Sequence, residues 1–341
     1  MTLAEPLKIR VSTLTPIWTG DSDQKTSYLR ATSFLGGMRF WTEALLRSFG
    51  ENVCNITHQE NRCIHDSQNG QWGCAACNIF GCTGLSRSFR LRVIDDDGLK
   101  EIKSKKVTIE QQTYNSNGQT RMSLYFPKGG LTGSFAITIM PIRPGDLNPY
   151  FLAGFKLLLE WGNLGAQDQY GQGLVKADTE SMQEKLQSID LEEQPQTNDN
   201  NELPNFKDFF FFKGKVTDTS TEVNKVPFMV RNKVRNSLRE GKNQTSLRHY
   251  FCGCLGSGNQ EKQGAKYNIS LYDNQLYGWG WFPRQGNYKA FRDSCLNILK
   301  QRLEDVCSNS LIWKEYNSVR DEASHHSWPE YVRDMLNNAW R

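Results

Sequence analysis

The chain has 341 residues, of which 38% are hydrophobic and 11% aromatic, and a formal net charge of +4. This length suffices for two domains, and the apolar content excludes a disordered protein. Eight acidic residues stand against one lysine in residues 177–202, so the rest of the chain is distinctly basic, which favours a nucleic acid or another anionic partner. An apolar run of about 18 residues and a signal-peptide core are both absent from the sequence, which predicts a cytoplasmic chain without a membrane span.

The first half of the sequence predicts the element order strand, helix, strands, helix, strand. Leu7, Ile9 and Val11 alternate with polar residues and predict a strand within residues 7–20. The further predictions are a helix at 36–50, strands at 86–95, 101–112, 119–126 and 132–143, a helix at 148–162, and a short strand after the glycine-rich turn 162–175. This order is that of a ferredoxin-like, or RRM-like, domain.

The second half repeats this order after a polar segment. Residues 177–205 are rich in Glu, Gln and Asn and predict an acidic insertion or linker. Beyond it we expect a strand at 207–216, a helix at 226–240, a hairpin of strands 266–272 and 276–283 over Asp273-Asn274, and helices at 287–305 and 328–340. The predicted fold class is α+β, with two ferredoxin-like domains at 1–176 and 206–341. The first carries a Cys/His-rich insertion at 51–82, and the second ends in a helical tail.

Five of the nine cysteines lie within 29 residues, at Cys54, Cys63, Cys74, Cys77 and Cys82. A reducing compartment disfavours disulfides among them, and the Cys74-Ala-Ala-Cys77 spacing suits two ligands of one tetrahedral zinc ion. A structural zinc would also order a long loop in which no helix or strand is predicted. We predict that the zinc ligands are His58, Cys63, Cys74 and Cys77, with Cys54, His65 and Cys82 as substitutes. Reduced cysteines packed as small apolar side chains are the alternative.

A basic strand follows the turn at Phe80-Gly81. Four of its residues share strand parity, so one face carries hydroxyl and guanidinium groups that suit phosphates; they are Ser86, Ser88, Arg90 and Arg92, and Arg87 lies beside them. An ordinary solvated face is the alternative. The glycine-rich stretch 162–173 follows a helix and precedes a strand, the reverse of a dinucleotide-binding fingerprint. Its glycines indicate a close approach of the backbone to a neighbour, or a flexible turn.

The second half adds basic and aromatic side chains to this pattern. Basic residues alternate with apolar ones along a predicted helix, at Arg231, Lys233, Arg235, Arg239 and Lys242. Tyr277, Trp279 and Trp281 share one face of a predicted strand. Basic groups beside an aromatic platform are typical of single-stranded nucleic-acid binding. A core aromatic ladder with a solvated helix face explains the same pattern, and the sequence leaves both interpretations open.

Several stretches together resemble a known family. In chain order, TPIWTGD, SFLGGMRFWTEALLRSFG, IFGCTGLSRSF, GNLGAQDQYGQG and KYNISL resemble the RAMP superfamily of CRISPR-associated proteins, and within it the first Cmr subunit of type III-B effector complexes. The resemblance implies two ferredoxin-like domains and a non-catalytic subunit that binds CRISPR RNA and target RNA near the 3′ end of the guide. It also implies other RAMP subunits and a large subunit as protein partners.

The resemblance assigns RNA contacts to particular residues. They are Arg39 at the helix start, the turn from Gly81 through Thr83 and Ser86 to Arg87, and Gly165 and Gly171 of the glycine-rich loop. The basic and aromatic patterns add four residues to the predicted RNA-binding set: Arg90, Arg231, Arg235 and Trp279. Two features depart from the family, which indicates a variant type III backbone subunit. Gln167-Asp168-Gln169 stands where the loop usually carries basic residues, and the cysteine cluster is not typical of this subunit.

Two other functions are compatible with the sequence. RAMP relatives cut target RNA with an aspartate in the loop after the first strand, where this chain has Asp21 and Asp23, and a carboxylate there can bind a divalent cation. Histidine is absent from this stretch of sequence, which leaves no second acid or base, and loop solvation also explains both aspartates. The other function is a structural zinc module that joins proteins, which the basic body and the aromatic strand disfavour.

Overall fold

Helices and strands alternate along the chain. The computed structural model describes residues 5–20, 23, 25–56, 60, 62–66, 68, 73–95, 98–111, 121–143, 147–187, 191, 203–217, 222–239, 245–254, 263–286, 288–321 and 327–338. The first half contains β1 (Leu7–Thr13), α1 (Ala31–Ser48), α2 (Ala75–Phe80), β2 (Phe89–Ile94), β3 (Lys100–Ile102), β4 (Val107–Gln111), β5 (Arg121–Tyr125), β6 (Gly130–Thr132), β7 (Ser134–Pro141), α3 (Pro149–Trp161), β8 (Val175–Ala177) and α4 (Glu180–Gln187). The second contains β9 (Phe209–Lys215), α5 (Val226–Ser237), α6 (Thr245–Cys252), β10 (Ser270–Tyr272), β11 (Gln275–Trp281), α7 (Arg292–Cys307), β12 (Ile312–Glu315) and α8 (Trp328–Asn337).

Each half contributes one four-stranded sheet, and the two sheets share a strand order. The first sheet has the order β2-β7-β1-β8 and the second the order β10-β11-β9-β12. Neighbouring strands are antiparallel in both sheets. Counted along the chain, the first strand of each sheet therefore lies between the third and the fourth, and the second strand lies at the edge. The predicted α+β class with antiparallel sheets is confirmed.

Helices α1 and α3 lie between the two sheets. On one side, Phe34 of α1 stacks on Phe135 of β7, with their ring centroids 5.9 Å apart. On the other side, Trp41 of α1 contacts Phe209 of β9 at 5.6 Å, and Trp161 of α3 contacts Phe211 at 5.1 Å. One hydrophobic core therefore joins the helices of the first half to the second sheet, because both flanks of these helices are apolar.

The run of four phenylalanines in β9 supplies two cores at once. Successive side chains of a strand point to opposite faces of its sheet. Phe209 and Phe211 therefore pack on the first half, while Phe210 and Phe212 stack on Trp313 of β12 and join the core of α5 and α7. The second sheet is thus buried on both faces, which explains why polar residues do not alternate with the phenylalanines of β9.

Local signals in the sequence explain several element boundaries. The Asn148 side chain accepts a hydrogen bond from the Phe151 N–H at the start of α3, and Ser327 caps α8 in the same way. The β10–β11 hairpin turns at Asp273 and Asn274, whose φ angles are +49° and +57°. Positive φ at both central residues is what a tight two-residue hairpin requires, so this prediction is confirmed.

The segment predicted as a polar linker contains ordered structure at its start. Helix α4 lies within residues 177–205, and Met182 and Leu186 on it are buried, as is Leu191 beyond it. These apolar residues are spaced at four and five positions, which places them against the core of the first half despite the acidic composition. Helices α2 and α6 and strand β12 were also not predicted. In the described part of the chain, no helix has the length and apolar character that crossing a membrane requires.

Candidate metal centre and nucleic-acid interface

Four cysteine sulfurs converge beside helix α1. The Sγ atoms of Cys54, Cys63, Cys74 and Cys77 all lie within 4.8 Å of one another, and Cys74 and Cys77 are buried. Cys74 is the N-cap of α2, and its sulfur accepts a hydrogen bond from the Cys77 N–H at 3.5 Å. The short helix is thus what places the two thiols of the Cys-x-x-Cys pair side by side.

Backbone N–H groups and thiols surround these sulfurs with hydrogen bonds. The Cys54 N–H points to the Cys74 sulfur and the Cys74 N–H to the Cys63 sulfur, each at 3.4 Å. The Cys54 and Cys77 sulfurs lie 3.6 Å apart. Hydrogen bonds from the Cys54 and Cys77 thiols lower the pKa of Cys74, while bonding to Cys74 raises the pKa of Cys54 to about 11. The arrangement favours a thiolate at Cys74, which is the form that binds metals.

The donor set fits a tetrahedral zinc ion. Zinc–sulfur bonds of about 2.3 Å place the sulfurs of an ideal tetrahedron roughly 3.8 Å apart. The Cys54 and Cys77 sulfurs lie 3.6 Å apart and all four sulfurs lie within 4.8 Å of one another, which is compatible with this value. Four thiolates without an open position are typical of structural rather than catalytic zinc.

The structure places the predicted ligands as follows. Cys63, Cys74 and Cys77 belong to the group, whereas His58 lies outside the described residues. The fourth sulfur is that of Cys54, which the sequence indicated only as a substitute. His65 and Cys82, the other two substitutes, are described and do not belong to the group. Spacing alone did not separate these candidates, because no motif specifies which of the residues before α2 lies beside Cys74 and Cys77.

Arg39 of α1 faces this cluster. Its guanidinium donates to the Cys77 sulfur at 3.6 Å and pairs with Glu43 through Nε at 2.7 Å. Arg47 pairs with the other oxygen of Glu43 at 3.1 Å, and the Glu43 carboxylate is 6% exposed. The arginine that the resemblance assigned to RNA is therefore held by protein groups, and one of them is a member of the metal cluster.

The turn from Gly81 to Arg87 is closed by its own backbone. Cys82 and Leu85 exchange two N–H···O bonds of 3.0 Å. A Cβ at Gly81, where φ is +84°, would lie 2.8 Å from the Leu85 oxygen, so only glycine fits there. Arg143 donates to the Asn78 and Ser86 carbonyls and ties the turn to the end of β7. Thr83 and Ser86 are exposed at this turn and Arg87 is half-buried.

The glycine-rich loop contacts protein rather than open solvent. A Cβ at Gly165 would lie 2.7 Å from the Trp18 oxygen, and one at Gly171 would lie 2.7 Å from the Ile269 oxygen. Both residues have positive φ. The predicted close approach is confirmed, and the neighbours are the segment after β1 and the second half. A contact of Gly165 or Gly171 with RNA stays a prediction.

The basic residues of α5 also contact protein groups. Arg231 donates to the Tyr267 carbonyl at 2.9 Å, and its guanidinium lies 5.2 Å from the Tyr267 ring centroid. Arg235 donates to the Gly253 carbonyl at 3.2 Å. Each guanidinium is partly buried, so these side chains hold Gly253 and Tyr267 to α5, and binding of phosphates would use their remaining N–H groups.

Trp279 lies in the core between the two halves. Its ring is 9% exposed and stacks on Phe209 with centroids 5.8 Å apart. Its indole N–H donates to Asn163 Oδ1 at 3.0 Å. The geometry is that of the core ladder, the alternative that the sequence left open, and Phe209 covers one face of the ring.

A cleft beside the segment after β1 was missed by the sequence analysis. It has a volume of about 350 Å³ and is lined by Trp18, Glu101 and three lysines, Lys25, Lys103 and Lys128. The Lys128 ammonium lies 4.7 Å from the Trp18 ring centroid. In the sequence, the tryptophan of the stretch TPIWTGD was the available signal for this cleft. Lys103 and Lys128 come close to it only because β3 pairs with β6.

Of the two aspartates in the loop after β1, only one belongs to the described residues. Asp21 lies outside the described residues. Asp23 is exposed, and the one metal-competent group in the described part of the chain is the cysteine cluster. A cation site at the loop therefore has no support from the described residues.

Comparisons with known proteins agree with the resemblance. The sequence model of the RAMP superfamily matches residues 10–176, which contain the first sheet, the cysteine cluster and the glycine-rich loop. This match confirms the predicted resemblance for that part of the chain. No match is found among the curated proteins.

Solved structures of low sequence identity also align with the chain. A chain of the type III-B Cmr-beta complex bound to cognate target RNA and AMPPnP, with ssDNA present, has TM-score 0.47 and 12% identity, over 89% of this chain and 100% of that one. A chain of Cmr-beta bound to cognate target RNA has TM-score 0.49 and 11% identity, over 88% and 100%. Apo Cmr1 from Pyrococcus furiosus has TM-score 0.43 and 11% identity, over 88% and 97%.

Proposed function

We propose that this chain, which belongs to the RAMP superfamily through residues 10–176, is an RNA-binding subunit of a type III CRISPR RNA-guided effector complex. The superfamily match is the observation that carries the proposal. Its partners are CRISPR RNA, target RNA, other RAMP subunits and the large subunit of the complex. The subunit sits near the 3′ end of the guide, where base pairing supplies the sequence specificity and the protein contacts the backbone.

The shared strand order supports a finer description of the fold. Each sheet, taken with the helices that follow its first and third strands, has the arrangement of a ferredoxin-like domain. We assign the first such domain to residues 1–176 and the second to 206–341, with 177–205 as the connection. The aromatic core around Trp41 and Phe209 joins them, so the two act as one body.

RNA contacts are assigned to groups that remain accessible. Arg90 on the edge strand β2 is exposed, Arg87 precedes it, and Thr83 and Ser86 offer hydroxyls at the turn. These groups suit phosphates rather than base edges. We assign base stacking to Trp18 in the lysine-lined cleft, because it is more exposed than Trp279.

Zinc has a structural role in this proposal. Cys54, Cys63, Cys74 and Cys77 would hold the ion, and the ion would supply the cross-link that fixes residues 51–82 against α1. Arg39 would then lie beside a centre with net negative charge, as the outer partners of metal sites commonly do.

The subunit is non-catalytic in this proposal. Asp23 is exposed, and the metal-competent group found in the described residues lies at the cysteines. Asp21→Ala in a reconstituted complex should leave every target-cleavage product in place. Loss of one specific product would instead favour a metal-dependent endoribonuclease.

The RNA-binding proposal is tested by affinity measured against salt. Each phosphate contact contributes roughly 0.7 to the log–log slope for single strands. Replacing Arg87 and Arg90 by Ala removes two contacts, so it should lower the slope by about 1.4 and weaken binding equally for unrelated sequences. Lys215→Ala with Lys289→Ala, which removes the same charge from the second half, is the matched control. Equal slopes for both double variants would remove residues 80–92 from the interface.

A further inference from the structure

The outer face of the first sheet carries five basic side chains. Residues directly opposite each other on antiparallel strands point to the same face. Lys8 and Arg92 both pair with Thr138, Arg10 pairs with Ala136, Arg90 pairs with Met140, and Lys176 pairs with Ser12. Since these strands are adjacent in the order β2-β7-β1-β8, one face displays Lys8, Arg10, Arg90, Arg92 and Lys176. We refer to it as the basic sheet face.

This face is open, whereas the opposite one is core. All five basic residues are exposed, while Leu7, Ile9 and Val11 between them are at most 3% exposed and pack under α1 and α3. The face is therefore fixed by the hydrophobic alternation of the strands and does not depend on flexible loops. A partner would meet a rigid platform.

The basic sheet face has a net positive charge. None of the ion pairs between described residues involves any of its five cations. Asp178, the acid that follows β8, lies beside Arg10, whose carbonyl accepts a hydrogen bond from the Asp178 N–H at 2.9 Å, and its carboxylate accepts one from the Glu180 N–H. The five cations therefore outnumber the one acid next to them. Strands lie about 4.8 Å apart and alternate residues about 6.6 Å apart, so the cations repel one another within a Debye length. A polyanion would relieve that repulsion.

The other side chains of this face determine which chemical groups of a polyanion it can contact. Those that are at least partly exposed are hydroxylic or aliphatic, namely Ser12, Ser134, Thr138, Met140 and Ile94, while Ala136 between them is buried. Hydroxyls donate to phosphate oxygens, but these positions include no ring on which a base could stack. The surface therefore matches a sugar-phosphate backbone without selecting a sequence.

We propose that the basic sheet face binds the phosphate backbone of single-stranded RNA, as a surface separate from the turn at residues 81–87. This inference rests on the proposed RNA-binding function and extends it to Lys8, Arg10, Arg92 and Lys176. An acidic protein segment is the competing occupant, and the test separates the two.

The test uses the full chain with four exposed cations neutralised, as Lys8→Gln, Arg10→Gln, Arg92→Gln and Lys176→Gln. Arg87 and Arg90 stay native. The control neutralises four cations of the second half, as Lys215→Gln, Lys225→Gln, Lys289→Gln and Lys300→Gln. Fluorescence anisotropy with labelled oligouridine and with a mixed-sequence RNA is measured from 0.05 to 0.5 M salt. The single variant Arg92→Gln and thermal melting accompany the set.

We expect the sheet-face variant to lower the salt slope by about 2.8, from four contacts of roughly 0.7 each, and the affinity at 0.1 M salt by 10²–10³-fold. Arg92→Gln alone should lower the slope by about 0.7, and the control should bind like the native chain.

If the sheet-face variant binds RNA like the native chain while the Arg87/Arg90 variant binds more weakly, this inference is overturned and the proposed function stands. If the native chain does not bind RNA, both are overturned. Binding of polyglutamate by the native chain but not by the sheet-face variant, without RNA binding, identifies a protein-docking surface instead.

Discussion

The two sheets share a strand order but differ in what their second faces contact. The first sheet buries one face under α1 and α3 and leaves the other exposed and basic, whereas the second is buried on both faces by its phenylalanines. The second sheet therefore stabilises the assembly of the two halves, and the first carries the face that we propose for RNA. The same topology thus serves two roles, and the side chains on one face decide which.

Two irregular segments, the one with the cysteine cluster and the glycine-rich loop, also differ in what holds them. Both belong to the first half. Residues 51–82 converge on four sulfurs, whereas residues 162–173 are held by backbone contacts and by Asn163, which bonds to Gln172, Ser270 and Trp279. One segment thus brings together four thiols that could hold a metal ion, and the other is held in part by the second half of the chain.

The largest expected effect comes from the metal cluster. Cys74→Ser with Cys77→Ser should reduce zinc from about one ion per chain to none. It should also lower the free energy of unfolding by several kcal/mol, because zinc binding is coupled to folding. Elemental analysis and chemical denaturation measure these quantities, and Cys82→Ser, which lies outside the group, should leave both unchanged. A native chain that folds fully without metal contradicts the structural role.

The next effect compares a tryptophan of the core with one of the cleft. Trp279→Ala removes a buried ring and leaves Asn163 Oδ1 without its donor, so the free energy of unfolding should fall by about 3–5 kcal/mol. Trp18→Ala should instead lower RNA affinity by roughly 1–3 kcal/mol at a constant salt slope. Thermal melting and anisotropy of both variants give the comparison. Reversed outcomes would mean that the stacking platform is Trp279.

A smaller effect separates the two roles of Arg39. If its guanidinium supports the thiolates, Arg39→Gln should weaken zinc binding about 10–100-fold in a chelator competition and leave the RNA salt slope unchanged. Arg39→Lys keeps the positive charge but lacks the planar guanidinium. Its zinc affinity should therefore lie between those of the native chain and of Arg39→Gln. A slope lower by about 0.7 with native zinc affinity would return Arg39 to the RNA interface, as the resemblance implied.

Much of the fold could be predicted from local patterns. The alternation in β1, the helical stripe of α1 and the positive-φ pair Asp273-Asn274 each specify their element through nearby residues. The spacing of Cys74 and Cys77 likewise predicted a metal pair, and the structure places both in the group. In these cases the determining residues are neighbours in the sequence.

The remainder depends on which segments meet in space. The face shared by Tyr277, Trp279 and Trp281 was predicted, but its covering by α1 follows from the docking of the two halves, which no short pattern encodes. Cys54 joins Cys74 although other candidate ligands are nearer to Cys74 in the sequence. Arg39 meets Cys77 only because α2 packs on α1. The glycines at 165 and 171 indicated a close approach, but the partner was not in the local sequence.

The most direct measurement identifies the RNA that the chain holds in its complex. The chain, tagged and produced together with the other subunits and a CRISPR array, is purified and its RNA is extracted and sequenced after nuclease trimming. We expect guide RNAs from the array, with their 3′ portions protected in the presence of the chain and shortened when it is omitted. Recovery of the complex with unchanged guide protection in the absence of the chain, or of the chain without guide RNA, would contradict it.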